Sequence, residues 1–226
     1  MEKSLLLRYR VFYKEKLRRV KLFGFDADRY DRHADHLIII DKNSNQVVGT
    51  YRVLSSAYTK KFYSETEFDI TQLKNKNNTL LELGRAAIDK KHRNGVVLSL
   101  LWQGISMYAR KVNAGYVFGL SSVFGEDIEK AVKIYNYLNS KGLIDHSFHI
   151  RPLEKFKVKN FERFIHLYKF DETTKKDISP LLFSYLKAGA VVCGYPAYDA
   201  KFRCFDFFTL LEVDKLNKRF ERKFKR

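Results

Sequence analysis

Proline, cysteine, methionine and tryptophan are scarce: three, two, two and one among 226 residues. So few prolines leave no Pro-rich linker at which to divide the chain. The two cysteines, Cys193 and Cys204, make neither a disulfide framework nor a metal quartet. No apolar run approaches the roughly 20 residues that a membrane-spanning helix needs. After Leu5, Leu6 and Leu7 the charge resumes at once with Arg8, so no secretory leader is expected in this stretch. Acidic residues are in deficit, 26 against 43 lysines and arginines, for a net charge of +17.

What is present is globular. A hydrophobic fraction of 45% and an aromatic fraction of 15% are too rich for disorder. A chain of this length buries roughly 70% of its unfolded surface and needs no covalent staples. These features predict a cytoplasmic domain with an acidic partner. The positive charge is concentrated. Residues 1–24 carry eight basic and two acidic groups, 151–169 six and two, and 215–226 seven and one. The remainder is nearly neutral, so three basic segments decorate a neutral body.

Hydrophobic spacing predicts a helix over 4–19 and a hairpin of strands 36–40 and 46–54 around the turn 41–45. Residues 60–79, polar and Asn-rich toward their end, read as a loop or a poorly ordered excursion. A strand over 80–89, a helix over 96–112, a strand over 116–121, a helix over 126–140 and a strand over 143–150 follow. Ser179 and Pro180 open a helix that Gly189 closes. Strands over 191–195 and 203–213 precede a basic amphipathic helix over 214–226. This order predicts an α+β fold, an α/β sandwich with a mixed central sheet flanked by helices.

Three stretches carry chemistry. Asp26, Asp28 and Asp31 crowd six residues near His33 and His36, but the spacing is not that of a calcium loop. We therefore expect no metal there. Glu82 and Arg85 interrupt an apolar strand, where charges are costly unless paired. Strict alternation puts Glu82, Gly84 and Ala86 on one face and Leu83 and Arg85 on the other, with Gly84 permitting close approach of a ligand or backbone. Between that strand and the next helix, Lys91, His92, Arg93, Asn94 and Gly95 form a basic turn at a helix N-terminus, suited to a phosphate. Aromatic residues in the basic segments fall at helical spacing, so packing explains them better than stacking on nucleic acid.

Together these motifs resemble the acyl-carrier-dependent N-acyltransferases of the GNAT superfamily. The order is Leu7-Arg8 with Val11-Phe12, Asp28-Arg29-Tyr30-Asp31, His36-Leu37-Ile38, Val48-Gly49-Thr50-Tyr51-Arg52 and Glu82-Leu83-Gly84-Arg85. Further matching stretches are Phe62-Tyr63-Ser64-Glu65 with Glu67-Phe68-Asp69, Leu101-Trp102 with Gly104-Ile105, Pro180-Leu181-Leu182, and Pro196-Ala197 with Asp199 and Phe202. The branch is that of ornithine- or glycine-lipid N-acyltransferases and N-acyl amino acid synthases, and it is similar to acyl-homoserine-lactone synthases. The tryptophan that the last group carries shortly after the phenylalanine is absent; Leu22 and Phe23 stand there.

The resemblance implies a single GNAT-like domain over 1–213 and a mixed sheet flanked by helices. It implies transfer of a long fatty acyl group, 3-hydroxylated or not, from acyl carrier protein to the α-amine of an amino acid. Glu82 is then the base and Arg85 its catalytic neighbour. Arg8, Phe12, Asp28, Asp31 and Arg52 form a charged cluster around the acceptor. The acyl and pantetheine region takes Gly84, Ala86, Ile88, Arg93, Gly95, Trp102, Phe118 and Leu120, with Val123 beside them. The turn at 93–97 has one glycine where coenzyme A binders have more, which favours an acidic carrier as donor over coenzyme A. No tightly bound cofactor and no metal are implied. The basic segments would meet the carrier and the anionic inner face of the cell membrane. Other readings remain open: an acetyl-CoA-dependent acetyltransferase of a small amine, a homoserine-lactone synthase, and a non-catalytic polyanion-binding module.

Overall fold

The computed structural model describes residues 1–20 and 24–216. The helices are α1 (Glu2–Tyr9), α2 (Thr71–Lys74), α3 (Val96–Lys111), α4 (Ile128–Ser140), α5 (Phe161–Leu167) and α6 (Pro180–Ala188). The strands are β1 (Asp35–Asp41), β2 (Gln46–Ser55), β3 (Phe68–Asp69), β4 (Thr79–Ile88), β5 (Ala114–Phe124), β6 (Ile144–Asp145), β7 (Arg151–Pro152), β8 (Val191–Cys193), β9 (Ala197–Asp199) and β10 (Cys204–Glu212). The described chain divides into two compact units, Met1–Phe62 with Thr79–Ala114, and Tyr63–Asn78 with 115–216.

The first unit is a three-stranded antiparallel sheet, β1-β2-β4, between two helices. Alternation along β2 sends Leu37, Ile39 and Gly49 to one face and His36, Arg52 and Gly84 to the other, through the cross-strand pairs Ile39↔Gly49, His36↔Arg52 and Arg52↔Gly84. α3 covers the apolar face. Its buried stripe is Val97, Leu101, Trp102, Ile105 and Ala109. Gly49 and Gly104 let it approach closely: a Cβ on Gly49 would stand 2.4 Å from Val97 Cγ1, and one on Gly104 2.6 Å from Leu37 Cδ1. On the opposite face α1 packs Leu7 and Val11 against Val47 and Ala87, with Phe12 at the margin. The helix expected over 4–19 is present, but beyond Tyr9 it widens to a π-helical stretch, Arg10–Lys16, where the Leu17 amide donates to the Phe12 carbonyl five residues back.

The second unit is a mixed sheet. β10 runs antiparallel to β5, β8 and β9, and β6 joins β8 in parallel. One face carries the core of α4 and α6: Val132, Tyr135, Leu138 and Leu182 pack with Val123, Phe205 and Phe207. α6 begins and ends as the sequence dictates, with the Ser179 hydroxyl accepting from the Leu182 amide, Pro180 in the first turn and Gly189 as C-cap.

Two local expectations are corrected. Residues 60–79 are not a loop: Phe62, Phe68, Ile70 and Leu73 are buried, and the segment holds β3 and α2. The polar Asn-rich end masked an apolar first half. The strand expected over 143–150 is only the two residues of β6, because Ser147 turns back onto the Asp145 carboxylate. β9 was not anticipated, since three residues are too short to show a period. The basic helix over 214–226 lies outside the described residues, apart from a turn at Val213–Lys215 and Leu216. Among the described residues no helix is long and apolar enough to cross a membrane.

Candidate active site

Between α1 and the charged face of its sheet, the first unit buries an arginine–aspartate network. Arg8 projects from α1 and is fully buried, its Nε donating to Asp26 at 2.8 Å and its two Nη atoms to the two oxygens of Asp31 at 2.6 and 3.1 Å. That fork geometry is available only to arginine. Arg52, from β2 and equally buried, places Nη1 2.7 Å from both oxygens of Asp28 and 3.5 Å from Asp31. Arg85 completes the set, with Nη2 3.2 Å from Asp28 and Nε 3.7 Å from Asp26. Three guanidinium groups thus balance three carboxylates.

The turn carrying the aspartates is itself self-bonded. Asp28 caps the short helix Arg29–His33, accepting from the Tyr30 amide, while Asp31 reaches back to the Asp28 amide at 2.8 Å. Burial alone would raise the Asp28 pKa, but Arg52 and Arg85 outweigh it and hold the carboxyl far below the usual range. Asp31 is likewise lowered, with burial overcome by the Arg8 hydrogen bonds. His36 lies 3.8 Å from Asp31, and its burial outweighs that neighbour and lowers its pKa, keeping the ring neutral.

Arg85 reaches this network by a route that alternation does not predict. Its φ is +53°, and the register runs Thr50↔Ala87 to Arg52↔Gly84, so two residues of β4 oppose Tyr51 alone. This β-bulge turns Arg85 toward the aspartates and breaks the expected assignment of faces. Glu82 remains where alternation puts it: paired with Leu54, on the face of Arg52 and Gly84, and 3% exposed. A Cβ on Gly84 would stand 3.7 Å from Arg52 Nη2, so the glycine lies directly beneath that guanidinium. Phe12, one helical turn beyond Arg8, has its ring 5.9 Å from the Arg85 guanidinium carbon.

The remaining candidates divide. Ala86 and Ile88 are half-buried on β4. Arg93 donates from Nε to the Ile88 carbonyl and pairs with Glu15 at 2.7 Å. Gly95, at φ +90° with open space around it, is the N-cap of α3. Trp102 is buried in the sheet-facing stripe of α3. In the second unit Phe118 and Leu120 share one face of β5, opposite Leu210 and Phe208. Val123 does not join them; it faces the α4 core, because an odd step along the strand reverses the side. The basic residues of 151–169 are all exposed, whereas Arg8 of the first basic segment is wholly internal.

Asp26, one of the three crowded aspartates of the sequence, joins the network through Arg8. One group of residues escaped the sequence reading. In the second unit Glu67, Asp199 and Asp206 converge, each buried. They lie in or beside the stretches around 62–69 and 196–202 that carry the resemblance, but their separation in sequence hides their meeting.

A family model for the acetyltransferase (GNAT) domain matches residues 7–103. An L-ornithine N(α)-acyltransferase of Brucella abortus (strain 2308) is 30% identical over 95% of this chain and 81% of its own length. Among solved structures, the CoA-dependent acyl-homoserine lactone synthase BjaI with MTA superposes with a TM-score of 0.55 at 12% identity, covering 99% of this chain and 79% of that one. FeeM, an N-acyl amino acid synthase from uncultured soil microbes, gives 0.50 at 9% identity over 92% and 90%. The expected α/β fold is thereby borne out. With most of its length aligned to an N-acyltransferase at that identity, the chain belongs to the family of the L-ornithine N(α)-acyltransferases and is an acyltransferase of the GNAT class.

Proposed function

We propose that this chain moves a long fatty acyl group from the phosphopantetheine thioester of an acidic acyl carrier protein to the α-amine of ornithine, releasing an N-acyl amino acid and the free thiol. The single observation that carries the reading is the alignment of 95% of the chain with an L-ornithine N(α)-acyltransferase. The chemistry needs a base for the amine, donors for the carbonyl oxygen and a fixed acceptor. Glu82, on the sheet face shared with Arg52 and Gly84, is the base. The bulge at Arg85 and Ala86 leaves backbone groups outside the ladder, and these are the donors for the developing oxyanion. Arg8, Asp26, Asp28, Asp31, Arg52 and Arg85, with Phe12 against the last, hold the acceptor side rigid.

The N-terminus of α3, with Gly95 as N-cap and Arg93 before it, takes the single phosphate of phosphopantetheine. Ala86 and Ile88 flank the thioester, and Trp102 serves packing; within the second unit Phe118 and Leu120 share an apolar strand face. Coenzyme A carries the same reactive arm and is the second donor to test. Residues 1–213 act as the catalytic domain. The exposed basic groups of 151–169 and the basic residues of 214–226 steer the carrier and meet anionic lipid at the inner membrane face.

The test is mass spectrometry of lipid extracts from cells expressing the wild type or Glu82→Ala. The expected result is N-acylornithine from the wild type and its loss from the variant. A different head group would overturn the acceptor. Undiminished product from Glu82→Ala would overturn the base.

A further inference from the structure

The second unit holds a buried carboxylate triad that the acyl-transfer reading does not use. Glu67, from the turn before β3, meets Asp199 at the end of β9 and Asp206 in β10, with a carboxylate oxygen of each within 4.8 Å of the others. They are only 2%, 5% and 4% exposed. Strand register explains the meeting: Asp199 lies opposite Cys204, two residues from Asp206 on the same face of β10, and Ser122 of β5 lies opposite Asp206.

The difficulty is charge. Three ionised carboxylates in a dry site cost far more than their hydrogen bonds return unless a positive charge compensates them. Among the described residues no lysine, arginine or histidine pairs with any of the three. Their polar contacts come from neutral groups. Asp199 Oδ1 accepts from the Lys201 and Phe202 amides at 2.7 and 3.2 Å. Asp206 accepts from the Ser122 hydroxyl and, at 3.4 Å, from the Cys204 thiol. Glu67 is hydrogen-bonded to the Tyr63 side chain and lies within hydrogen-bond reach of Asp206, a contact between carboxyl groups that requires a proton or a cation between the oxygens. A second observation points to a missing partner: Glu67 Oε2 is buried and has no hydrogen-bond partner.

We propose that Glu67, Asp199 and Asp206 bind one hard divalent cation, of the magnesium or calcium class. The donors are all carboxylate oxygens, which such ions select. The neighbours behave as an outer shell: backbone amides fix Asp199, and Ser122 fixes Asp206, each holding an oxygen so that the ligand set is aimed inward. The ion would fasten the segment 63–78, through Glu67, to the corner formed by β9 and β10. This inference stands apart from the acyl-transfer reading, because its readout is metal content and unfolding rather than turnover.

The experiment uses the full chain purified without chelator, analysed for metal by inductively coupled plasma mass spectrometry. It is then stripped with EDTA and melted with and without added Mg2+, Ca2+ or Mn2+. The expected result is one ion per chain, a lower Tm after stripping and its recovery with one of the three cations. Glu67→Gln and Asp199→Asn should each abolish the bound ion and the response to chelator. Glutamine has the shape of a protonated glutamic acid, so Glu67→Gln decides between the two ways of neutralising the triad. A wild type free of stoichiometric metal, indifferent to EDTA, with Glu67→Gln melting at or above it, would overturn the proposal and leave shared protons as the answer.

Discussion

Replacing Arg8 by methionine isolates what the buried network contributes. Methionine keeps much of the stem's volume, so the perturbation is loss of charge rather than a large cavity. Asp26 is left with Arg85 at 3.7 Å, and Asp31 with Arg52 at 3.5 Å and the Asp28 amide at 2.8 Å. Removing one partner of a buried ion pair costs about 3–5 kcal/mol. At about 2–4 °C per kcal/mol for a chain of this size, Tm should fall by about 6–20 °C.

The pH dependence gives a sharper signature. Asp31 in the wild type has a pKa below its ordinary value because the Arg8 hydrogen bonds overcome burial. Its contribution to stability is therefore present above the ordinary carboxylate range and is lost as pH falls through the folded pKa. Without Arg8, burial acts against weaker opposition, and the Asp31 pKa rises. The variant then gains relative to wild type when the pH is lowered from about 7 toward about 5, because protonation relieves an uncompensated charge. Calorimetric melts at both pH values measure this. A deficit below about 1 kcal/mol, of the size expected for an exposed pair and equal at both pH values, would refute the compensating role of Arg8.

Three further outcomes are expected. Glu82→Gln should slow acyl transfer by about 10^2–10^4-fold with little change in Tm; mass-spectrometric rates within tenfold of wild type would exclude it as the base. Gly194→Ala should destabilise the second unit by at least about 2 kcal/mol in thermal melts, since a Cβ there would stand 2.3 Å from the Ile150 carbonyl oxygen at φ +69°. Ser179→Ala should cost about 1 kcal/mol in equilibrium urea unfolding, from loss of the cap on the Leu182 amide.

Local order was legible where a pattern repeats or a cap is spelled out. The β1–β2 hairpin, the β4–α3 succession and the Ser179-to-Gly189 helix all follow from period or punctuation. The network was legible in part: Arg8, Asp28, Asp31, Arg52 and Arg85 came from motif order, and the structure brings them within hydrogen-bond reach. Arg85's orientation was not, because a bulge is a property of two strands and leaves no mark on one. The segment 60–79 failed for a different reason. Its buried residues, Phe62, Phe68, Ile70 and Leu73, follow neither period 2 nor period 3.6, so composition dominated the reading. The triad failed because its members are separated by up to 139 residues, from Glu67 to Asp206.

The two buried acidic clusters set each other's terms. In the first unit three aspartates are matched by three arginines, and the fork of each guanidinium lets it serve two carboxylates, so each aspartate has its countercharge within the chain. In the second unit three carboxylates at similar depth are met by amides, two hydroxyls and a thiol, all uncharged. A desolvation cost that the first unit offsets from within its own sequence is not offset from within the second, among the described residues. With no positive side chain beside them among the described residues, Glu67, Asp199 and Asp206 call for protons or a cation. A cation would also supply a ligand for the Glu67 oxygen that has no hydrogen-bond partner.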